Sequence, residues 1–451
     1  MKGLLLKALV LLLTLTSTVL GQYSFDFLGG GARAEGMGKA YLAVSDDVNA
    51  GSWNPAGLYG IEKPVLGFSY NSLRPRGSAN VIFPGSSLYT EHSGSSNTLG
   101  AIAFAAPVRL KGHPFVGTVN YGRSFDIYGE FGFELSGFGW WPTDRGPRLL
   151  WTNTDISYQI DGGVDVLNFG FGTRFYKDIS FGVAANVYSG KALEQRVTYD
   201  ITEEYPYTDS LQITTGELVR TVVDTLKFSG VNFTVGFKYS GEKTNAALVV
   251  KTPFTLNVKF DSLYYQLGYI NGMIVDDGTD TVYFMNNLVK YDMPWIVGVG
   301  LARKIKDNFL VALDAELRAF KGGKVKVRES LTINPGGGNI EEFLEIDPRW
   351  ENVFTMRFGG EYLFRTGLGE VPLRLGGGFC PVPNPQTDAA GETANPTSYS
   401  MSLGTGIHWS QISFDIAYSV STMDSHVYDG YGTFDFTDRN HHLNFSFTGI
   451  F

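Results

Sequence analysis

Apolar and polar positions alternate along most of this chain. Phe169, Phe171, Thr173 and Phe175 share one face of a segment, with Asn168, Gly170, Gly172 and Arg174 on the other. Val231, Phe233, Val235, Phe237 and Tyr239 oppose Asn232, Thr234, Gly236 and Lys238. Phe354, Met356, Phe358, Tyr362 and Phe364 alternate with Thr355, Arg357, Gly359 and Glu361. Successive side chains of an extended chain point to opposite faces, so period two held over about ten residues predicts strands. Fourteen segments read this way: 63–71, 98–107, 114–123, 163–176, 179–191, 224–240, 245–260, 291–304, 308–322, 351–364, 371–381, 397–409, 411–421 and 440–451.

The connections between them alternate in length. Arg109–His113, Lys177-Asp178, Ser240–Lys243, Lys304–Asp307, Arg365–Glu370 and Ser410 are short. Those near 72–97, 124–162, 192–223, 261–290, 323–350, 382–396 and 422–439 are long. An even strand count with short turns at one end and long loops at the other is the pattern of an outer-membrane barrel. In a soluble sandwich the apolar face would point inward. Here the polar face carries Gly, Asn, Arg and Asp, while the apolar face often ends in Tyr or Trp, as at Trp409 and Tyr418. Terminal aromatics suit the membrane interfaces and put the apolar face toward lipid. The expectation is an all-β fold, a 14-stranded antiparallel transmembrane β-barrel over residues 63–451.

Composition agrees. Mean hydropathy is −0.04, yet aromatics make up 14 % and Gly supplies 56 of 451 residues. Alternating barrel strands keep mean hydropathy low, and no apolar run beyond residue 21 approaches the roughly 18–20 residues of a spanning helix. Residues 1–21 have Lys2 and Lys7, an apolar run from Ala8 to Leu13, and small Val19 and Gly21 before Gln22. That is the pattern of a secretory signal peptide, with no Cys for lipid attachment. The formal charge of −9 and the lack of a basic block argue against a nucleic-acid partner. The lone Cys380 excludes an internal disulfide and a Cys-based metal site.

Residues 22–62 precede the first strand and do not alternate. Ser45 is a candidate helix cap, and Asn54 with Pro55 suits a second helical start. Trp53 and Leu58 are apolar anchors that a disordered tail rarely carries. Gly36-Met37-Gly38, Ser45-Asp46-Asp47 and Asn54-Pro55-Ala56-Gly57-Leu58 resemble the N-terminal hatch of the FadL-type outer-membrane transporter superfamily, including its PorV/PorQ-like relatives. Thr252-Pro253-Phe254, Met293-Pro294-Trp295 and Pro381-Val382-Pro383-Asn384-Pro385 resemble later landmarks of that superfamily. The resemblance spans nearly all of the chain after the leader. It implies that residues 22–62 form a plug in the lumen, with Gly36, Met37, Gly38, Asn54, Pro55 and Ala56 as its motif. It also implies location in a bacterial outer membrane and passive uptake of hydrophobic compounds such as long-chain fatty acids or aromatic hydrocarbons. The alternative it carries is a PorV-like factor that binds proteins for secretion or surface attachment. Leu443, Phe445, Phe447, Gly449 and Phe451 share one face, and Phe451 resembles the terminal signal read by barrel-assembly machinery.

Candidate chemistry is sparse. The lumen rows hold Arg174, Arg318, Arg357 and Arg374 beside Lys238, Asp314, Glu316, Glu361 and Asp415. Buried charges need partners, so one reading is a salt-bridged lining that fixes the plug. The sharper reading has one of the four arginines receive a substrate carboxylate bidentately. Phe131, Phe133, Phe138, Trp140 and Trp141 crowd the long segment after the third strand. They form either a ligand-capture surface or a loop with its own small core. Gly117 and Gly122 mark a candidate weak point for lateral exit. Asp276-Asp277-Gly278-Thr279-Asp280 lacks calcium-loop spacing and reads as a solvated turn. His441 and His442 face oppositely on one strand and cannot share a metal. No nucleophile motif appears, so neither catalysis nor a cofactor is expected. The expected partners are outer-membrane lipid, hydrophobic small molecules, the barrel-assembly machinery and, in the alternative, an envelope or secreted protein.

Overall fold

The computed structural model describes residues 29–83, 86–143, 146–205, 214–276, 282–328, 343–428 and 432–451. The expected signal peptide, residues 1–21, lies outside the described residues, as do positions 277–280 of the acidic turn. Fourteen antiparallel strands form one closed ladder. They are β1 Val65–Phe83, β2 Ser96–Leu110, β3 His113–Thr143, β4 Gly146–Tyr176, β5 Ile179–Tyr205 and β6 Thr214–Ser240. Next come β7, Thr244–Lys251 continued by Phe254–Ile270, and β8, Val282–Met293 continued by Trp295–Lys306. The rest are β9 Phe309–Ala319, β10 Val353–Thr366, β11 Gly369–Pro381, β12 Thr397–His408, β13 Ile412–Tyr428 and β14 Thr433–Ile450. β1 pairs with β14 from Val65↔Ile450 to Ile82↔Thr433, which closes the barrel. Each of the fourteen alternating segments coincides with one of these strands.

The outward face is apolar and exposed. Leu66, Phe68 and Tyr70 on β1, Val297, Val299 and Leu301 on β8, and Phe354 and Phe358 on β10 all face away from the interior. A belt of this extent is stable only against hydrocarbon, so the barrel spans a membrane. The inward rows around residues 29–62 are polar or small, among them Asn168, Asn186, Asn232, Thr234, Asp314 and Arg374, each at most 5 % exposed. The short turns lie at the end where the chain enters β1. Lys111-Gly112, with both φ positive, closes the β2–β3 hairpin in the primed-turn manner that matches strand twist.

The external ends differ from expectation. The alternation predicts a long loop near 124–162. In the structure β3 and β4 stay paired from Phe115↔Thr173 out to Thr143↔Gly146. β5 and β6 likewise pair out to Glu204↔Thr214. Beyond the membrane β3 to β7 stay paired as one sheet that no longer faces lipid, so period two fades while the backbone ladder continues.

Candidate functional site

Residues 29–62 fill the lumen with short turns. α1 covers Ala32–Gly36, α2 covers Ala50–Trp53, and a 3₁₀ turn covers Pro55–Gly60. The last begins as expected: Asn54 Oδ1 accepts from the Ala56 amide at 3.1 Å, and Pro55 needs no donor in the first turn. Ser45 does not cap a helix; the residue before α2 is Asn49. Ser45 instead offers its carbonyl to Lys238 Nζ at 2.7 Å. Met37 and Tyr41 are fully buried, and Trp53 meets Tyr41 edge-on at 5.7 Å.

Two zones of the wall hold this segment. Gly36-Met37-Gly38 lies on β10, β11 and β12. Gly38 has φ +63, and a Cβ at Gly376 would sit 2.2 Å from the Gly38 nitrogen. Ser402 Oγ donates to the Gly36 carbonyl at 3.2 Å. Asn54-Pro55-Ala56 lies on β4, β5 and β6 instead. A Cβ at Gly182 would sit 2.3 Å from the Pro55 carbonyl carbon, so only glycine permits this approach. The two motifs therefore use opposite walls, and Glu361 serves the first zone. Between the zones, Asp314 Oδ2 accepts from the Tyr41 and Leu42 amides at 2.6 and 2.8 Å. Asn168 and Asn120 reach Gly51 and Ser52 at 3.2 and 3.0 Å.

The buried charges form a network. Arg33 grips Glu361 with Nε and Nη2 at 3.1 and 3.0 Å, the paired-fork geometry of a strong contact. Arg374 donates to Glu361 at 2.7 Å and to Asp415 at 2.6 Å, and His408 meets Asp415 at 2.9 Å. Arg318 and Arg357 share Glu316, at 2.8 and 3.5 Å. Arg174 lies over the Tyr59 ring at 5.0 Å. Of the four arginines suggested as substrate-carboxylate partners, three are thus joined to the protein's own carboxylates and the fourth stacks on the plug. On the plug itself, Glu35 is surrounded by Lys39 at 3.7 Å, His442 at 3.6 Å and the Ser419 hydroxyl. Burial alone would raise its pKa; Lys39, His442 and Ser419 outweigh that and hold the carboxyl well below the usual range.

Toward the external end the inward rows change character. Ile160 and Val164 on β4, Tyr188 on β5, Leu226 and Phe228 on β6, and Leu256 and Val258 on β7 are buried in one apolar cluster. Tyr188 stacks on Phe254 at 5.0 Å, and Phe320 meets Trp350 edge-on at 5.5 Å. This lining was missed in the sequence, although it had a signal. On β6 the inward parity runs Leu226, Phe228, Gly230, Asn232, Thr234, Gly236 and Lys238, apolar first and polar after.

The remaining candidates are spread out. Phe131 stacks on its cross-strand partner Tyr158 at 4.6 Å and packs against the apolar cluster. The side chains of Phe133, Phe138, Trp140 and Trp141 fall outside the described residues; their backbone belongs to the projecting β3–β4 ribbon. Gly117 is paired on both sides, to Ala106 and Phe171, but Gly122 stands at the last β2–β3 pair, Ala101↔Gly122, and the β3–β4 register shifts just after it between Arg123 and Phe125. Phe451 is exposed, and its amide bonds to the Pro64 carbonyl at 2.9 Å. His441 and His442 face apart, the first bonded to Tyr418 and the second beside Glu35.

No protein-family model matches the chain, and no curated protein matches it by sequence. Solved structures do. A Pseudomonas aeruginosa FadL homologue matches with a TM-score of 0.58 at 12 % identity, over 94 % of this chain and all of that one. The P. putida toluene transporter TodX gives 0.58 at 14 % identity, over 94 % of this chain and 99 % of that one. The CymD monoaromatic hydrocarbon channel gives 0.55 at 13 % identity, over 94 % and 98 %. The chain therefore has the FadL-type fold, a 14-stranded transmembrane barrel of the kind found in these proteins.

Proposed function

We propose that this protein lets hydrophobic compounds cross a bacterial outer membrane, with residues 29–62 as the plug that stops polar solutes. The observation that carries the reading is the apolar inward lining of β4–β7 external to the plug. A pore for water-soluble molecules has a polar interior. Burying Leu226, Phe228, Leu256 and Val258 toward the lumen serves a guest that is itself apolar. The arginines favour a neutral arene over a fatty acid, because Arg374 already holds Glu361 and Asp415, and Arg318 and Arg357 share Glu316. The names of TodX and CymD, toluene transporter and monoaromatic hydrocarbon channel, agree with that preference. The β2–β3 pairing stops at Gly122 beside the β3 bulge at Arg123, so lateral exit there is the route proposed.

The test is initial uptake of radiolabelled toluene and oleate by cells with and without the protein in the outer membrane. Faster toluene uptake with the protein supports the reading. Equal uptake of both compounds, with an envelope protein co-purifying in stoichiometric amount, would replace it with the protein-binding alternative.

A further inference from the structure

We infer that the outer wall of the barrel carries a site for the phosphate groups of an anionic lipid in the external leaflet. A cleft of about 930 Å³ opens on the seam where β1 meets β14. It is lined by Arg74 and Arg76 of β1, Arg439 and His441 of β14, Tyr418 of β13, and Tyr89 of the strand Ser86–Ser93 that extends the seam. The register places Arg74 opposite His441 and Arg76 opposite Arg439. Paired residues share a face, so all four stand on the same outward face as Leu66, Phe68 and Tyr70.

Height along the strand decides what meets them. From Leu66 to Arg74 is about 26 Å of strand at roughly 3.3 Å per residue. Strand tilt reduces that to about 20 Å, against an apolar band about 25 Å tall. Arg74 thus stands at the external rim of the belt, just past Tyr70 and beside Tyr418, where interfacial aromatics belong. A lipid whose tails lie on Phe68 and Tyr70 brings its headgroup to this cleft.

The charges fit that headgroup. Among the described residues none of the three arginines has a carboxylate partner, and Arg74 touches only the Leu73 carbonyl at 3.5 Å. The one acid in the lining, Glu91, already accepts from Tyr89 at 2.8 Å. His441 spends Nδ1 on the Tyr418 hydroxyl at 2.6 Å, which leaves Nε2 for a ligand. Planar guanidinium forks bind phosphate oxygens in pairs, and long arginine stems lie along apolar wall while their heads reach the interface. The site depends on the barrel's place in a membrane but not on what passes through the lumen.

Native mass spectrometry of the full-length protein tests it, with a bis-phosphorylated acylated disaccharide lipid, the same lipid without phosphates, and inorganic phosphate as competitor. The phosphorylated lipid should bind at least about tenfold more tightly than the phosphate-free one. The triple variant Arg74→Gln, Arg76→Gln, Arg439→Gln should lose that difference. Equal binding of the two lipids by the unaltered protein overturns the proposal, whether or not the variant folds. Displacement by inorganic phosphate at concentrations equal to the lipid overturns it too, by assigning the cleft to a free anion.

Discussion

At the scale of single residues, the plug is held by a few polar atoms that have no substitute. Asp314 accepts two main-chain amides that no helix or strand satisfies. Asp314→Ala leaves both buried donors unpaired, at about 1–3 kcal/mol each. The expected outcome is faster hydrogen exchange at Tyr41 and Leu42 and easier proteolysis of residues 29–62, with the barrel ladder unchanged. Asp314→Asn keeps an acceptor oxygen and should restore much of the protection. Glu35 gives the plug a pH dependence. Its pKa is depressed below the usual 4.5 by Lys39, His442 and Ser419, against the opposing effect of burial. A carboxylate depressed in the docked state stabilises docking above its free pKa, and that stabilisation is lost as pH falls through the docked value. Permeability of reconstituted protein to small polar solutes should therefore stay low at neutral pH and rise in a window that opens below 4.5. Glu35→Gln should remove the pH step; a step that survives the substitution would assign it to another group.

At the scale of elements, two prolines explain a feature that alternation alone obscured. β7 breaks at Thr252-Pro253 and β8 breaks at Pro294, and the breaks lie side by side, with Lys251 opposite Ile296 and Phe254 opposite Met293. A proline within a ladder removes a donor, and two adjacent breaks share that loss. Thr252 Oγ1 repairs part of it by accepting from the Phe233 amide at 3.0 Å. The break also shifts parity: Val249 and Lys251 are inward before it, Leu256 and Val258 after it. Strand existence was legible because period two is sustained wherever one face meets lipid. Strand ends were not, because outside the membrane the extended β3–β6 sheet has no face against lipid to sustain period two. The projecting β3–β4 ribbon gives a separable prediction. Deleting Ser136–Asn153 removes Phe138, Trp140, Trp141 and Trp151 but keeps the Phe131↔Tyr158 pair. The barrel should still insert and show a heat-dependent gel shift, because the membrane ladder is untouched. Toluene uptake at low concentration should fall if this ribbon captures substrate, and unchanged uptake would remove it from the route.

At the scale of the whole molecule, closure of β1 on β14, the apolar belt and the internal N-terminal segment form one design. The belt requires lipid outside; residues 29–62 occupy the polar half of the interior; the external half is lined by the apolar cluster. The belt was legible from outward parity. The pairing of Gly36–Gly38 with β10–β12 and of Asn54–Ala56 with β4–β6 was not, since it joins residues hundreds of positions apart through glycines that carry no side-chain signal. The apolar half was hidden because the inward rows were read mainly for their charges. The most direct measurement of the central claim is the anomalous-scattering map of crystals soaked in bromobenzene. The account predicts bromine peaks inside the barrel, among Ile160, Tyr188, Leu226, Phe228 and Leu256. Saturating bromobenzene that binds only on the outer wall, with none in the lumen, would contradict it.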